Sequence, residues 1–417
     1  MNSFLIKNGR VIDPETKRDE VIDVLVEDGK ITAIGTGMSF EGAEVIDATD
    51  KIVIPGMIDV HVHLRDMEQA YKETIESGTK AALQGGVTTL FAMPNTSPTL
   101  DSKEAIERYQ KLIQDTAQVN VHIIGAITKG LKGKELADLD VYPELGIKFI
   151  SDDGYDVDNE NLLEQAYRKA KELGLTIITH PEMYAIAAGG VINKGKVSEH
   201  FDVFGQNNEK EWKAVERGLR LIEKTGAKGH FTHVTTKESV ELVRKAKAKK
   251  LAITCDATPH HFSLTEEAVL THGNLAKVNP PLRTEADRQA IIDGLKDGTI
   301  DLIATDHAPH SEQDKGGNLN HAAFGISCLD TAMASIITEL HINQKMPLID
   351  VIALFTLKPA QLAGLKRGRL QAGAPGEIVI MNLEEERVVK RMDFVSQGKN
   401  TPFDGIKLKG WPIKTLV

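Results

Sequence analysis

Up to Pro55 apolar residues alternate with polar ones in the runs FLIKNGRVID, DVLVEDGKITAIG and AEVIDATDKIVIP. A period of two marks half-buried strands, and Asn8-Gly9 and Asp28-Gly29 are turn signals. From Pro55 the rhythm changes. Short apolar runs (MIDVH, TTLFAM, VNVHIIGAI, GIKFIS, LTIITH, KGHFTHV, LAITCDA and DLIATD) are mostly followed by stretches such as SKEAIERYQKLIQDTA and ENLLEQAYRKAKELG. In those stretches apolar residues recur at three and four, the mark of a helix with one buried face. Eight strands alternating with helices predict an α/β chain built on a (β/α)8, TIM-type barrel. A doubly wound sheet is the rival. It usually carries a Gly-rich phosphate loop after the first strand, where this chain has His61-Val62-His63. Beyond Leu365 turns and short strands return in RGRLQAGAPGEIVIMNL, RVVKRMDF and GIKLKGWPI. The two ends are expected to pair into one small flanking β-domain, giving 1–54 and 365–417 around a barrel of 55–364.

Composition narrows the partners. The 417 residues are 41% hydrophobic and 26% charged, an ordinary globular balance. A net charge of −10 and a pI near 5.8 argue against nucleic-acid or membrane-surface binding. No apolar run reaches the about 18 residues of a membrane span, and MNSFLIKNG lacks the apolar stretch of a signal peptide. Cys255 and Cys328 are far apart, so neither a disulfide framework nor a thiolate metal site is expected. A cytoplasmic protein is the simplest reading.

In a strand, residues two apart point the same way, so His61 and His63 aim two imidazoles at one point. In a barrel the active site lies at the C-terminal strand ends. There the strands deliver His61 and His63, Pro94-Asn95-Thr96, Ser151-Asp152-Asp153-Gly154, His180, His233, and Asp306 followed by His307 and His310. Four histidines and two aspartates converging without thiolate suit Zn²⁺, with Mn²⁺ or Co²⁺ as substitutes. Six ligands exceed one tetrahedral ion and divide between two, a pair that lowers the pKa of bound water to about 7. Asp306 would act as general base. Either Asp152 or Asp153 could serve as the carboxylate ligand.

Nearly the whole length, from PGMIDVHVHLRD through PNTSP, SDDG, ITH, THVTTKES, TPHHFSLTEE, KVNPPLR and IATDHAPH to NTPFDG, resembles the dihydroorotases of the amidohydrolase superfamily, bacterial class I type. The resemblance implies zinc-dependent, reversible interconversion of N-carbamoyl-L-aspartate and dihydroorotate in pyrimidine biosynthesis. By matching motif, His61, His63 and Asp306 hold one zinc, His180 and His233 a second, and Asp153 bridges them. Arg65 and Asn95 take the substrate carboxylate. His63, Asn279, His310 and the backbone at Phe324-Gly325 complete the pocket. A homodimer is implied, and association with an aspartate transcarbamoylase is a further implied partnership. Hydantoinases, dihydropyrimidinases and allantoinases share the metal logic but need no carboxylate clamp. A metal-free scaffold is disfavoured because every ligand is retained.

Other residues carry blander expectations. His260 and His261 are expected to orient neighbours or pack near the seventh strand, and His307 to support the ligands or the structure rather than bind metal. His122, His200, His230, His272, His321 and His341 carry no motif. Lys148 lies where some superfamily members carry a carboxylated lysine, which the Asp-Asp pair makes unnecessary. HSEQDKGGN after His310 reads either as a mobile loop over the pocket or as a plain surface loop. Three places depart from the family pattern: Met67-Glu68 replaces Pro-Gly after HLRD, Pro181-Glu182-Met183 replaces Cys-Glu-Asp after His180, and the stop at Val417 shortens the last strand.

Overall fold

The computed structural model describes residues 3–186 and 188–417. Strands β1 (Phe4–Asp13), β2 (Arg18–Glu27) and β3 (Lys30–Gly35) form an antiparallel meander, and β4 (Glu44–Asp47) and β5 (Ile52–Pro55) pair parallel to β1. Asp28-Gly29 is the expected two-residue turn, with φ of 50° and 72°. Asn8-Gly9 is not a turn. It lies inside β1, where the register slips between Ile6 and Gly9. The positive φ that Asn8 adopts (61°) serves a bulge as readily as a hairpin. Gly9 is needed there because a Cβ would come 2.5 Å from Val53 Cγ2.

The second region is parallel. Its strands are β6 (Met57–Val62), β7 (Val87–Ala92), β8 (Asn120–Ile123), β9 (Gly125–Ala126), β10 (Phe149–Ser151) and β11 (Thr176–Thr179). A short separate pair follows, β12 (Ile192–Asn193) with β13 (Gly205–Gln206), and then β14 (Gly229–Phe231), β15 (Ile253–Ala257) and β16 (Leu302–Ile303). One sheet runs β6-β7-β8 and another β9-β10-β11-β14-β15-β16, with β8 and β9 separated by Ile124 alone. Just past β16 the backbone bonds back to the first strand, with Asp306 N donating to His61 O (3.0 Å) and His63 N to His307 O (2.8 Å). Buried Asp59 accepts from Thr305 N, Thr305 Oγ1 and His61 N at the same seam.

Helices follow the periodic stretches: Ile75–Gln84, Lys103–Thr116, Glu160–Leu173, Glu209–Thr225, Lys237–Ala248 and Glu285–Asp297. Most start where a hydroxyl or amide satisfies a free N–H, as Ser102, Asn159, Thr236 and Thr284 do. Three stop at a left-handed glycine, Gly174, Gly226 and Gly298. Their apolar faces cover the outside of the parallel strands, while Ile58, Val60, Phe91, Phe149 and Ile178 fill a separate interior cluster.

At the C-terminal end β17 (Ile378–Asn382) pairs antiparallel with β5, so both chain ends share one seven-stranded sheet. The segments RVVKRMDF and GIKLKG contribute only β18 (Arg387–Val388) and β19 (Lys407–Leu408), a two-residue pair outside that sheet. Both residues of β18 are exposed, and Val389, Phe394 and Phe403 pack instead near Ala334. Strand β20 (Trp411–Leu416) pairs with β17 out to Leu416.

Candidate metal centre and pocket

The parallel strands deliver their polar residues at one end. His61 lies in β6, His63 and Asn95 follow β6 and β7, Asp153 follows β10, and His180, His233 and Asp306 follow β11, β14 and β16. Every expected site residue except His61 lines one cavity of about 450 Å³. His61 lies beneath it, grouped with Asp153 and His233 and again with His63 and Asp306. Arg65, His233 and Asp306 hold φ of 54°, 37° and 50°, a region disfavoured for side-chain-bearing residues and typical of functional sites.

The hydrogen bonds settle which ring nitrogens are bare. Thr232 Oγ1 donates to Asp256 Oδ2 (3.0 Å), so it accepts from His61 Nδ1 (2.6 Å). His61 Nε2 is then a lone pair, 3.3 Å from both Asp153 Oδ1 and Asp306 Oδ1. His63 Nδ1 donates to Asn95 Oδ1 (2.8 Å), and its Nε2 faces Asp306 Oδ1 at 3.0 Å and Asp153 Oδ2 at 3.4 Å. His180 Nε2 donates to Glu182 Oε2 (2.8 Å), leaving Nδ1 3.0 Å from His233 Nε2 and 3.5 Å from Asp153 Oδ1. Imidazole lone pairs thus meet carboxylate lone pairs in a buried space, and His61 Nε2 and Asp153 Oδ1 make no hydrogen bond. Only cations relieve such an arrangement, and this nitrogen and oxygen set fits divalent metal.

The titration behaviour agrees. Burial opposes charge on His61, yet the carboxylates of Asp153 and Asp306 overcome it and raise its pKa to about 9. Burial likewise opposes charge on His180, but Asp153 and Glu182 raise it to about 10. Asp153, against burial, is held well below the usual carboxylate range by His61, His180 and His63. The carboxylates draw positive charge into the site, and protons answer that pull where metal does not.

The choice between the paired aspartates is now visible. Asp152 turns away and accepts from Ile127 N, Thr128 N and Thr128 Oγ1, while Asp153 faces the histidines. Lys148 precedes β10, and its Nζ donates to Ala363 O (3.0 Å), so it offers no bridge at the Asp153 end. His261 holds Pro280 O (2.8 Å) and Thr258, next to the Asn279 segment. His307 accepts from Cys328 N and Leu329 N, a structural role.

Sequence reasoning gave no role to several supporting residues. Glu182 orients His180 and is itself paired with buried Lys210. Asp256 holds His233 N (2.7 Å), Thr232 Oγ1 and His230 Nε2 (2.8 Å), so His230 does have a place. The spacing His-x-Glu after β11 was the available signal for Glu182. Asp256, at an inward position of β15, had none.

Arg65 and His310 line the same cavity. Arg65 Nε donates to Pro309 O (3.4 Å), and its Nη2 lies 3.4 Å from His310 Nε2. His310 Nε2 donates to Phe324 O (2.8 Å), and Lys72 Nζ, also unforeseen, donates to Nδ1 (3.3 Å). Asn279 Nδ2 donates to Glu182 Oε2 (2.7 Å). Gly325 has φ of 135°, and a Cβ there would meet Ala308 O at 2.8 Å. Its N–H is already given to Lys277 O (3.0 Å), so this stretch can offer a ligand the Phe324 N–H but not that of Gly325. Met67 has φ of 48°, which a proline ring forbids, so the first loop departs from a Pro-Gly path while still presenting Arg65.

A Dihydro-orotase-like family model matches residues 50–239. The chain is 43% identical over 414 residues to the dihydroorotase of Pelotomaculum thermopropionicum, covering 99% of this chain and 97% of that one. It is 42% identical over 415 residues to the dihydroorotase of Bacillus cytotoxicus, covering 100% and 97%. Among solved structures, an L-hydantoinase (dihydropyrimidinase) from Arthrobacter aurescens superposes with a TM-score of 0.90 at 26% identity, over 100% of this chain and 95% of that one. A D-hydantoinase (dihydropyrimidinase) from Thermus sp., with a TM-score of 0.84 at 24% identity over 99% and 94%, shares the fold. The hydantoinases share the architecture at lower identity, whereas the sequence is continuous with the dihydroorotases from end to end, and it is to the dihydroorotase family that this chain belongs.

Proposed function

We propose that this chain is a metal-dependent hydrolase of cyclic amide bonds that interconverts dihydroorotate and N-carbamoyl-L-aspartate in pyrimidine biosynthesis. The observation that carries the reading is the pocket's lining: bare imidazole nitrogens and two carboxylates share one cavity with Arg65 and His310, which Lys72 backs. Dihydroorotate has the matching halves, a cyclic amide and a carboxylate. Full-length identity of 42–43% to named dihydroorotases supports it.

His61, His63 and Asp306 would hold one zinc, His180 and His233 a second, with Asp153 between them. When bound, the ions supply Lewis acidity and an acidified water at neutral pH. Arg65 is a planar fork suited to the substrate carboxylate, and Asn95 lines the same cavity. Asn279, His63, His310 and the Phe324–Gly325 backbone enclose the ring. Asp306 takes the proton of the attacking water. The amide C–N bond breaks, and Asp306 returns the proton to the departing ring nitrogen, leaving a free ureido group and a carboxylic acid that releases its own proton to solvent. In the biosynthetic direction the ureido nitrogen attacks the carboxyl group, and water leaves through the same proton transfers.

The same reading takes the parallel strands as a closed (β/α)8 barrel over 55–364, with 1–54 and 365–417 as one flanking β-domain. The hydrogen bonds from Asp306 N to His61 O and from His63 N to His307 O support that closure. A cytoplasmic homodimer, with an aspartate transcarbamoylase as a candidate partner, completes it. Structural likeness to hydantoinases favours a second reading, hydantoin hydrolysis, which leaves Arg65 without a carboxylate. Purified protein assayed on dihydroorotate and hydantoin, with metal content measured on the same sample, decides. Faster turnover of hydantoin would replace the first reading by the second.

A further inference from the structure

Beside the pocket lie two ammonium groups that no carboxylate answers among the described residues. Lys277, in the segment that carries Asn279, is 1% exposed. Its Nζ donates to Leu319 O and Ala322 O, both at 2.6 Å, and sits 4.2 Å from the Phe324 ring centre. Lys315, on the loop after His310, is 6% exposed. Its Nζ donates to Lys277 O (3.1 Å), Ala323 O (2.8 Å) and Gly325 O (3.1 Å). Burial pushes Lys277 down to about 8, and burial with its neighbour Lys277 pushes Lys315 down to about 7.

A plain surface loop would leave such groups in water. Burying an ammonium costs several kcal/mol unless hydrogen bonds offset it. Here backbone carbonyls offset part of it, and each belongs either to the 311–325 loop or to the segment before Asn279. The lysines therefore lace one pocket segment to another. Further ties converge on the same spot. Asn400 Nδ2 donates to Gly325 O and Ala308 O, and Asp314 accepts from Ser311 N to tighten the start of the loop. The result is a fixed position for Phe324 and Gly325, which line the cavity, and for Phe324 O, which holds His310.

We propose that Lys277 and Lys315 are positioning residues that fasten the 311–325 loop as a wall of the substrate pocket and so set substrate affinity without entering the reaction. The statement rests on the dihydroorotase reading of that pocket. Asp306 and the four histidines sit on strand ends that the lysines do not touch, so binding and turnover should separate.

The test uses the full chain with Lys277→Met and with Lys315→Met, keeping length while removing charge and donors. Amide exchange over 311–325, metal content and steady-state kinetics on dihydroorotate are measured. Exchange in the loop should quicken about tenfold or more while helix Glu285–Asp297 stays protected, and KM should rise about tenfold with kcat within about twofold. Lys315→Arg, which restores charge and donors, should recover most of the affinity. Unchanged loop exchange, or quickened exchange with an unmoved KM, overturns the proposal. Should a Met variant not fold, the Gln variant at the same position takes its place. If the unsubstituted protein fails on dihydroorotate, the functional reading falls, and loop exchange alone then judges the fastening.

Discussion

His180 gives its Nε2 proton to Glu182, 2.8 Å away, and thereby turns a bare Nδ1 toward Asp153. Glu182 is fixed in turn by Lys210 and by Asn279 Nδ2. A carboxylate behind a metal-binding histidine sets its tautomer and raises its basicity, and losing such a partner typically costs about 10–100-fold in metal affinity. Glu182→Ala should therefore weaken metal binding by that factor, in competition titrations against a chelating dye. The loss should fall on one of two bound ions, and Glu182→Gln should lose less. A Glu182→Ala protein that binds metal as the parent does would show that His180 needs no orienting partner.

Asp306 lies 3.0 Å from His63 Nε2 and 3.3 Å from His61 Nε2 at a left-handed backbone position. If it moves the proton as proposed, it should be replaceable as a donor atom but not as a base. Asp306→Asn keeps an oxygen while losing basicity, so kcat should fall about 10²–10⁴-fold with KM little changed. Metal analysis of the same preparation separates the two roles. Normal kcat with full metal would move the base elsewhere.

Arg65 is buried, with His310 and Pro309 fixing its plane. Lysine offers a point charge in place of a two-pronged fork. Arg65→Lys should raise KM for dihydroorotate about 10–100-fold, the worth of a charged hydrogen bond, and kcat should change less. Hydantoin, lacking the carboxylate, serves as the control. An equal loss on both substrates would mean that Arg65 shapes the pocket rather than reading the carboxylate.

What the sequence discloses is what repeats locally. The strands of the parallel region and the helices after them carry unbroken periods, and His61, His63, His180, His233 and Asp306 sit at or just beyond strand ends, where the fold must expose them. Asn8-Gly9 misleads because a positive φ suits a bulge as well as a turn. Residues 387–408 mislead because apolar alternation does not say whether a partner strand exists. The supports of the site were invisible for another reason: Lys210 meets Glu182, and Thr232 joins Asp256 to His61, only after distant strands are assembled.

The buried lysines make stability depend on pH in a definite direction. An unfolded lysine keeps its proton to about 10.4, whereas folded Lys277 releases it near about 8 and Lys315 near about 7. Below about pH 6 both states carry both protons, and the folded state bears the whole burial penalty. As pH rises from there, the folded lysines become neutral while the unfolded ones stay charged. Unfolding then takes up protons, and the folded state gains stability until about pH 10.4, where the unfolded lysines titrate too. His310 adds nothing in this window, because burial and the charges of Arg65, Lys72 and Lys315 hold it down at about 2. The double variant Lys277→Met, Lys315→Met lacks the effect, while the other titrating groups are common to both proteins. Guanidinium unfolding at pH 7 and 9.5 should therefore show the parent gaining on the double variant, by on the order of 5 kcal/mol, about 2 from Lys277 and about 3 from Lys315. A difference that stays flat, or that moves the other way, would mean that the backbone carbonyls around these ammonium groups compensate their burial in full.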